Sequence, residues 1–180
     1  MKPTPYFNVA DSLPSSDYVP GYHWKTVNQT RATVDAFYSD ARDGYPGNID
    51  GGALPSWLIF NLIGLVSIVA FVFGRGRADS LQYPVVGQPV YLLSAPRFSS
   101  LSIKLFSGTP QETYLNITAP GLSDTSYYPQ SVTFNGNELD RSWLSHYELG
   151  GGGSLEFQMG SEPAKWDTGE RPPSLTPWGQ

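Results

Sequence analysis

The stretch Gly44–Leu65, GYPGNIDGGALPSWLIFNLIGL, decides how the chain is read. A glycine-rich turn around Gly47-Asn48-Ile49-Asp50-Gly51-Gly52 holds one carboxylate, Asp50, and a strongly apolar segment follows at once. Pro55 suits the first turn of a helix, where its missing N–H removes no bond. From Trp57 onward the residues are apolar nearly all round, which predicts a buried helix. Two readings of Asp50 stand at this level. It is a chemical group at the mouth of a buried helix, or a solvated carboxylate in an ordinary turn, because turns favour Gly, Pro, Asn and Asp for backbone reasons.

Upstream, residues 1–22 show no period. Lys25–Arg42 is predicted helical, with Val27, Val34, Phe37 and Ala41 on one stripe. Thr26 is the N-cap candidate and Gly44 the C-cap candidate. Downstream, from Tyr83, the pattern turns to β. Val85–Leu93 is a strand candidate interrupted by Pro89, and Leu101–Leu105 and Thr113–Thr118 alternate with period two. Ser131–Phe134 runs into Asn135-Gly136, a tight-turn signal. Leu155, Phe157 and Met159 alternate with Glu156 and Gln158, and the Pro-rich tail from Lys165 reads as extended or disordered. The fold class is therefore α+β, helices first and an antiparallel β-rich region second.

The chain has 180 residues, 39% hydrophobic and only 15% charged, a balance that speaks against wholesale disorder. A formal charge of -5 leaves no basic patch to meet phosphates, so nucleic acid is not an expected partner. There is no Cys, which removes disulfides and thiolate metal sites without fixing the compartment. Met1–Tyr6 lacks the apolar run of a signal peptide. The membrane-like segment is Trp57–Phe73, followed by Arg75 and Arg77; it is at the lower edge of a span and contains Asn61, Gly64 and Ser67. A buried helix with an apolar extension is the preferred reading, and a single-span membrane protein the weaker one.

Three blocks carry a resemblance. The first is Pro20-Gly21-Tyr22-His23-Trp24-Lys25-Thr26. The second is Gly47-Asn48-Ile49-Asp50-Gly51-Gly52-Ala53-Leu54-Pro55-Ser56-Trp57. The third runs from Gln130-Ser131-Val132-Thr133-Phe134-Asn135-Gly136 through Trp143-Leu144-Ser145-His146 and Gly152–Gly160 to Pro163–Trp166. In this order they resemble the C-terminal end of glycoside hydrolase family 92, the calcium-dependent exo-α-mannosidases, in their fungal form. The resemblance implies helices from the end of an (α/α)6 barrel, then a β-rich region. It also implies hydrolysis of terminal α-mannosides, as in glycoprotein glycan trimming, with inversion at the anomeric carbon. One carboxylic acid protonates the leaving oxygen and a carboxylate on the other face activates water.

Carried over residue by residue, the resemblance makes Asp50 the general base and Asn48 a residue that orients the water. An amide at Asn48 cannot itself take the proton. His23, Trp24 and Trp57 become candidate substrate-binding residues, with core packing as the alternative for the two tryptophans. The family's general acid lies upstream of these blocks. Its calcium uses an Asn-Glu-Pro segment that this chain replaces with Asn8-Val9-Ala10-Asp11-Ser12-Leu13-Pro14. No metal ligands are therefore assigned, calcium is expected only for the full-length family, and this chain alone is expected to be inactive. The resemblance implies α-mannoside glycans and the remainder of a parent enzyme as partners. It places that parent outside the cell or in the secretory pathway.

The expected division is 1–65 as the end of the barrel, 66–82 as an insertion, 83–164 as the β-rich part and 165–180 as the tail. Family members run directly from a helix like Trp57–Leu65 into a segment like Tyr83-Pro84-Val85. Codons for the intervening Val66–Gln82 are compatible with a short intron read through in frame. The alternative function is a non-catalytic carbohydrate-binding or structural β module. His146 reads as a packing or surface hydrogen-bonding residue. Asn28-Gln29-Thr30 and Asn116-Ile117-Thr118 are glycosylation sequons, a triplet that arises often by chance.

Overall fold

The computed structural model describes residues 21–47, 50–66 and 89–173. Asn48, the bulk of the expected 66–82 insertion, and the first and last segments of the chain lie outside the described residues.

Helix α1 spans His23–Phe37. It starts two residues before the expected boundary and ends five before it. Tyr22 is the N-cap, not Thr26, and the backbone turns extended at Tyr38. The buried face is His23, Thr26, Val27, Thr30 and Thr33, whereas Phe37 is 41% exposed and Ala41 is also exposed. The apolar stripe expected for this helix is thus only partly its inner face. The polar face can be buried because its hydroxyls are satisfied: Thr30 Oγ1 donates to the Val27 carbonyl at 3.1 Å and lies 3.1 Å from Ser94 Oγ. Gly44 does not cap α1. It closes a separate turn, in which the Ser39 N–H donates to the Gly44 carbonyl at 3.0 Å and the Gly44 N–H to the Ala41 carbonyl at 2.9 Å. A Cβ at position 44 would fall 2.1 Å from the Ser39 oxygen, so the turn admits only glycine.

Helix α2 spans Ala53–Ile63 and ends where Gly64 takes a left-handed conformation, φ 84°. Strand β1, Leu65–Val66, pairs antiparallel with β2, Val90–Leu93. Among the described residues no helix is long and apolar enough to cross a membrane. The Ser94 N–H donates to the Gly64 carbonyl at 2.8 Å and the Arg97 N–H to the Leu62 carbonyl at 2.9 Å, fixing α2 to the chain beyond β2. Arg97 also reaches Asp35 on α1 at 2.7 Å.

The remaining strands are β3 (Ser100–Leu105), β4 (Thr113–Thr118), β5 (Tyr128–Phe134), β6 (Asn137–Leu139), β7 (Trp143–Ser145) and β8 (Gly153–Gly160), with helix α3 at His146–Gly150 between the last two. A small sheet has the order β1-β2-β7, and a five-stranded sheet has the order β3-β4-β8-β5-β6. All described pairings are antiparallel except β4 with β8, which is parallel. Alternation sorts the large sheet into an inner face and an outer one. Leu115, Ile117, Val132, Leu155, Phe157 and Met159 point inward into one core that also holds Val27 of α1 and Leu65 of β1. The Asn135-Gly136 turn closes the β5–β6 hairpin with both residues at positive φ, 51° and 79°. Ser145 and Glu148 form a capping box at the start of α3.

The chain from Lys165 to Pro173 has no regular secondary structure, but backbone bonds tie it down. The Gly21 N–H donates to the Asp167 carbonyl at 2.8 Å and the Gly169 N–H to the Asp140 carbonyl at 2.7 Å. The Trp143 indole donates to the Glu170 carbonyl at 3.0 Å.

Candidate active site

Asp50 opens a single helical turn, Asp50–Gly52, that leads directly into α2. Gly51 has φ 66° and Gly52 has φ 96°, a left-handed pair that side chains with a Cβ adopt only under strain. Among the described residues, a Cβ at either position would meet nothing within 4 Å. Crowding therefore does not explain the two glycines. They serve a backbone path. Gly52 caps α2 without a side-chain bond, so the first N–H groups of the helix sit beside the same turn.

An aromatic clasp holds this turn in place. Trp57, in the second turn of α2, is buried and stacks on Tyr38 with ring centroids 5.5 Å apart and planes 15° apart. Tyr45 meets Tyr38 edge-on at 5.9 Å. Tyr38 and Tyr45 bracket the connection that leads to Asp50, and Trp57 lies beyond it, so the three rings fix both ends of the loop. Asn61 Nδ2 donates to the Trp57 carbonyl at 2.8 Å, one turn further along the helix. In the described contacts Trp57 is a packing residue of the loop that carries Asp50.

His23 and Trp24 stand at the other end of the helical region. His23 is 2% exposed, its Nε2 lies 3.0 Å from the Leu93 carbonyl, and its ring meets Trp166 edge-on at 4.8 Å. Burial pushes its pKa down to about 4, against the backbone bonds at Leu93 and Ser94 that favour the charged form. The ring is therefore neutral at pH 7. Trp24 is half-buried against the core, with the Lys25 ammonium 5.8 Å from its ring. The recorded partners of His23 lie on β2, the chain after it and the tail, not on the Asp50 turn. His146 binds Tyr91, with its Nδ1 2.9 Å from the phenol oxygen.

A second perturbed group escaped the sequence reading. Asp167 is 2% exposed, its carboxylate oxygens have no hydrogen-bond partner among the described residues, and burial raises its carboxyl pKa to about 6. It stands at the N-terminus of α1, where no side chain supplies a cap. Its position in a Pro-rich tail gave no hint of burial; the preceding Trp166, which packs on His23 and the core, was the available signal. Among the described residues no group of three or more His, Cys, Asp or Glu side chains converges to hold a metal. Calcium requires six to eight oxygen ligands, so the described residues do not fit it.

Asp50 thus begins a glycine turn that leads into α2, next to the Tyr38, Tyr45 and Trp57 rings. Residues 17–161 match the glycosyl hydrolase family 92 catalytic domain. The chain is 33% identical over 152 residues to a protein of Arthroderma benhamiae described as an uncharacterized secreted glycosidase; the match covers 83% of this chain and 17% of that protein. Two solved structures from Bacteroides thetaiotaomicron share the fold. One is a family GH92 α-mannosidase in complex with mannoimidazole, at TM-score 0.70 and 23% identity, covering 87% of this chain and 18% of that one. The other is a family GH92 inverting mannosidase, at TM-score 0.65 and 25% identity, covering 84% and 18%. The chain belongs to glycosyl hydrolase family 92. It spans less than a fifth of the length of these relatives.

Proposed function

We propose that this chain is the general-base segment of an inverting exo-α-mannosidase acting on terminal α-mannosides of glycans. Asp50 takes a proton from the water that attacks the anomeric carbon, and the leaving oxygen receives its proton from an acid outside the described residues. Asn48 orients that water through its amide. Trp57 positions the loop; His23, buried against Leu93 and Trp166, is assigned to packing, and half-buried Trp24 remains the candidate sugar contact. The observation that supports this reading is the family match across residues 17–161, which contains the Asp50 turn.

The calcium that the family resemblance implies has no cage among the described residues. Its ligands are assigned to other parts of a longer enzyme, and no step is derived through it. The chain alone is accordingly inactive. We divide it into the end of an (α/α)6 barrel through residue 65, an insertion at 66–82, a β-rich part at 83–164 and a Pro-rich tail. The parent enzyme is assigned to the secretory route, following the secreted relative.

The role of Asp50 is tested in a family α-mannosidase whose own segment is replaced by residues 20–161. Asp50→Asn should lower kcat by about 10²–10⁴-fold, the usual worth of a positioned base. A loss under tenfold removes Asp50 from the mechanism.

A further inference from the structure

The two sequons end in opposite environments. In a strand, residues i and i+2 share a face, so an Asn-x-Thr triplet can present both of its functional side chains to solvent. Asn116-Ile117-Thr118 does so on β4: Asn116 is exposed, Thr118 is half-exposed on the same side with its hydroxyl donating to the exposed Glu156 carboxylate at 3.5 Å, and Ile117 points inward at 1% exposure. The neighbours of Asn116 across the sheet are small and exposed, Ser102 on β3 and Ser154 on β8. Two residues earlier on the same face, Tyr114 is 46% exposed, with the Lys104 ammonium 5.4 Å from its ring. A sugar attached at Asn116 therefore has room on both sides.

The helical triplet Asn28-Gln29-Thr30 offers none of this. Two residues along a helix turn roughly 200° apart, which separates the pair. Asn28 Oδ1 accepts from the Tyr128 hydroxyl at 2.6 Å, and Thr30 is 4% exposed with its hydroxyl bound between Val27 and Ser94.

We propose that Asn116 is an N-glycosylation site of this protein and that Asn28 stays unmodified. The reading rests on the secretory assignment made above. In the transfer, Asn116 Nδ2 attacks the anomeric carbon of an oligosaccharide carried on a lipid pyrophosphate. The carbon–oxygen bond to phosphate breaks, the lipid pyrophosphate leaves with the bonding electrons, and the amide proton passes to a base of the transferase. No oxidation or reduction occurs.

The test is cell-free translation of the whole chain with microsomes, once with a cleavable secretory leader and once without. With the leader, the protease-protected chain should carry one shift that an amide-cleaving glycosidase removes. That shift should vanish in Asn116→Gln and Thr118→Ala and persist in Asn28→Gln and Thr118→Ser. Peptide mass analysis after release should show Asn116 converted to Asp, a readout that does not depend on any variant folding. A protected chain with no shift, or a shift lost in Asn28→Gln, overturns the proposal. The leaderless chain is the control: a shift without entry into the microsomes would show that the shift is not glycosylation and would overturn the proposal.

Discussion

The helical region and the five-stranded sheet bury opposite kinds of surface. On the sheet, every strongly buried inward residue of β4 and β8 is apolar, and the outer face carries Ser154, Glu156 and Gln158. On α1 the buried positions include His23, Thr26, Thr30 and Thr33, while Phe37 of α1 and Ile59 of α2 stand 41% and 56% exposed. The inner face of the sheet shares one core with Val27 of α1 and Leu65 of β1. The helices use buried polar groups to hold their orientation, where the sheet buries apolar side chains. The turn that carries Asp50 leads into α2, on the helical side of this contrast.

The contrast is broken most severely at Phe157, fully buried between β4 and β5. Phe157→Ala should cost about 3–5 kcal/mol in denaturant unfolding. Ile59→Ala in the same chain should change stability by no more than ~0.5 kcal/mol, because the side chain loses little burial. Equal losses at the two positions would erase the distinction between the regions.

The next effect is a pH dependence located where the two regions meet the tail. His23 has its pKa lowered from 6.5 to about 4, so its contribution is present above 6.5 and is lost as pH falls toward 4. Asp167 is raised from 3.8 to about 6, so its contribution is present below 3.8 and is lost as pH rises through 6. The two slopes oppose each other across this window. Asp167→Asn should leave the His23 slope uncompensated, giving a steeper loss of stability from pH 6.5 to 4 than the parent chain shows. Urea midpoints across that range measure it, and parallel curves would count against the burial assigned to Asp167. The smallest expected change is local to α3: Ser145→Ala removes the capping box and should cost about 1 kcal/mol, read from the same midpoints.

Much of the sheet was legible because alternation is a local signal. Leu101–Leu105, Thr113–Thr118 and the Leu155–Met159 run carry it on their face, and Asn135-Gly136 names its own turn. The parallel pairing of β4 with β8 was not legible, since the partners are far apart in sequence and no residue of either strand encodes direction. The inner face of α1 was misjudged because apolar periodicity equates burial with hydrophobicity. Here three threonines and a histidine are buried, with bonds such as those of His23 and Thr30 replacing lost water. The α3 capping box, Ser145 to Glu148, was readable but belongs to a helix too short to show a period. At the candidate site, local pattern left Asp50 undecided between a plain turn and a chemical one; only the family resemblance separated the two. The aromatic clasp of Tyr38, Tyr45 and Trp57 could not be seen without the fold.

The most direct measurement is turnover of an aryl α-mannoside by the purified 180-residue chain in the presence of calcium. If the proposed division of the catalytic groups holds, the chain should release no aglycone above the uncatalysed rate. Turnover that Asp50→Asn abolishes would contradict the account, because it would show that this chain holds a complete catalytic pair.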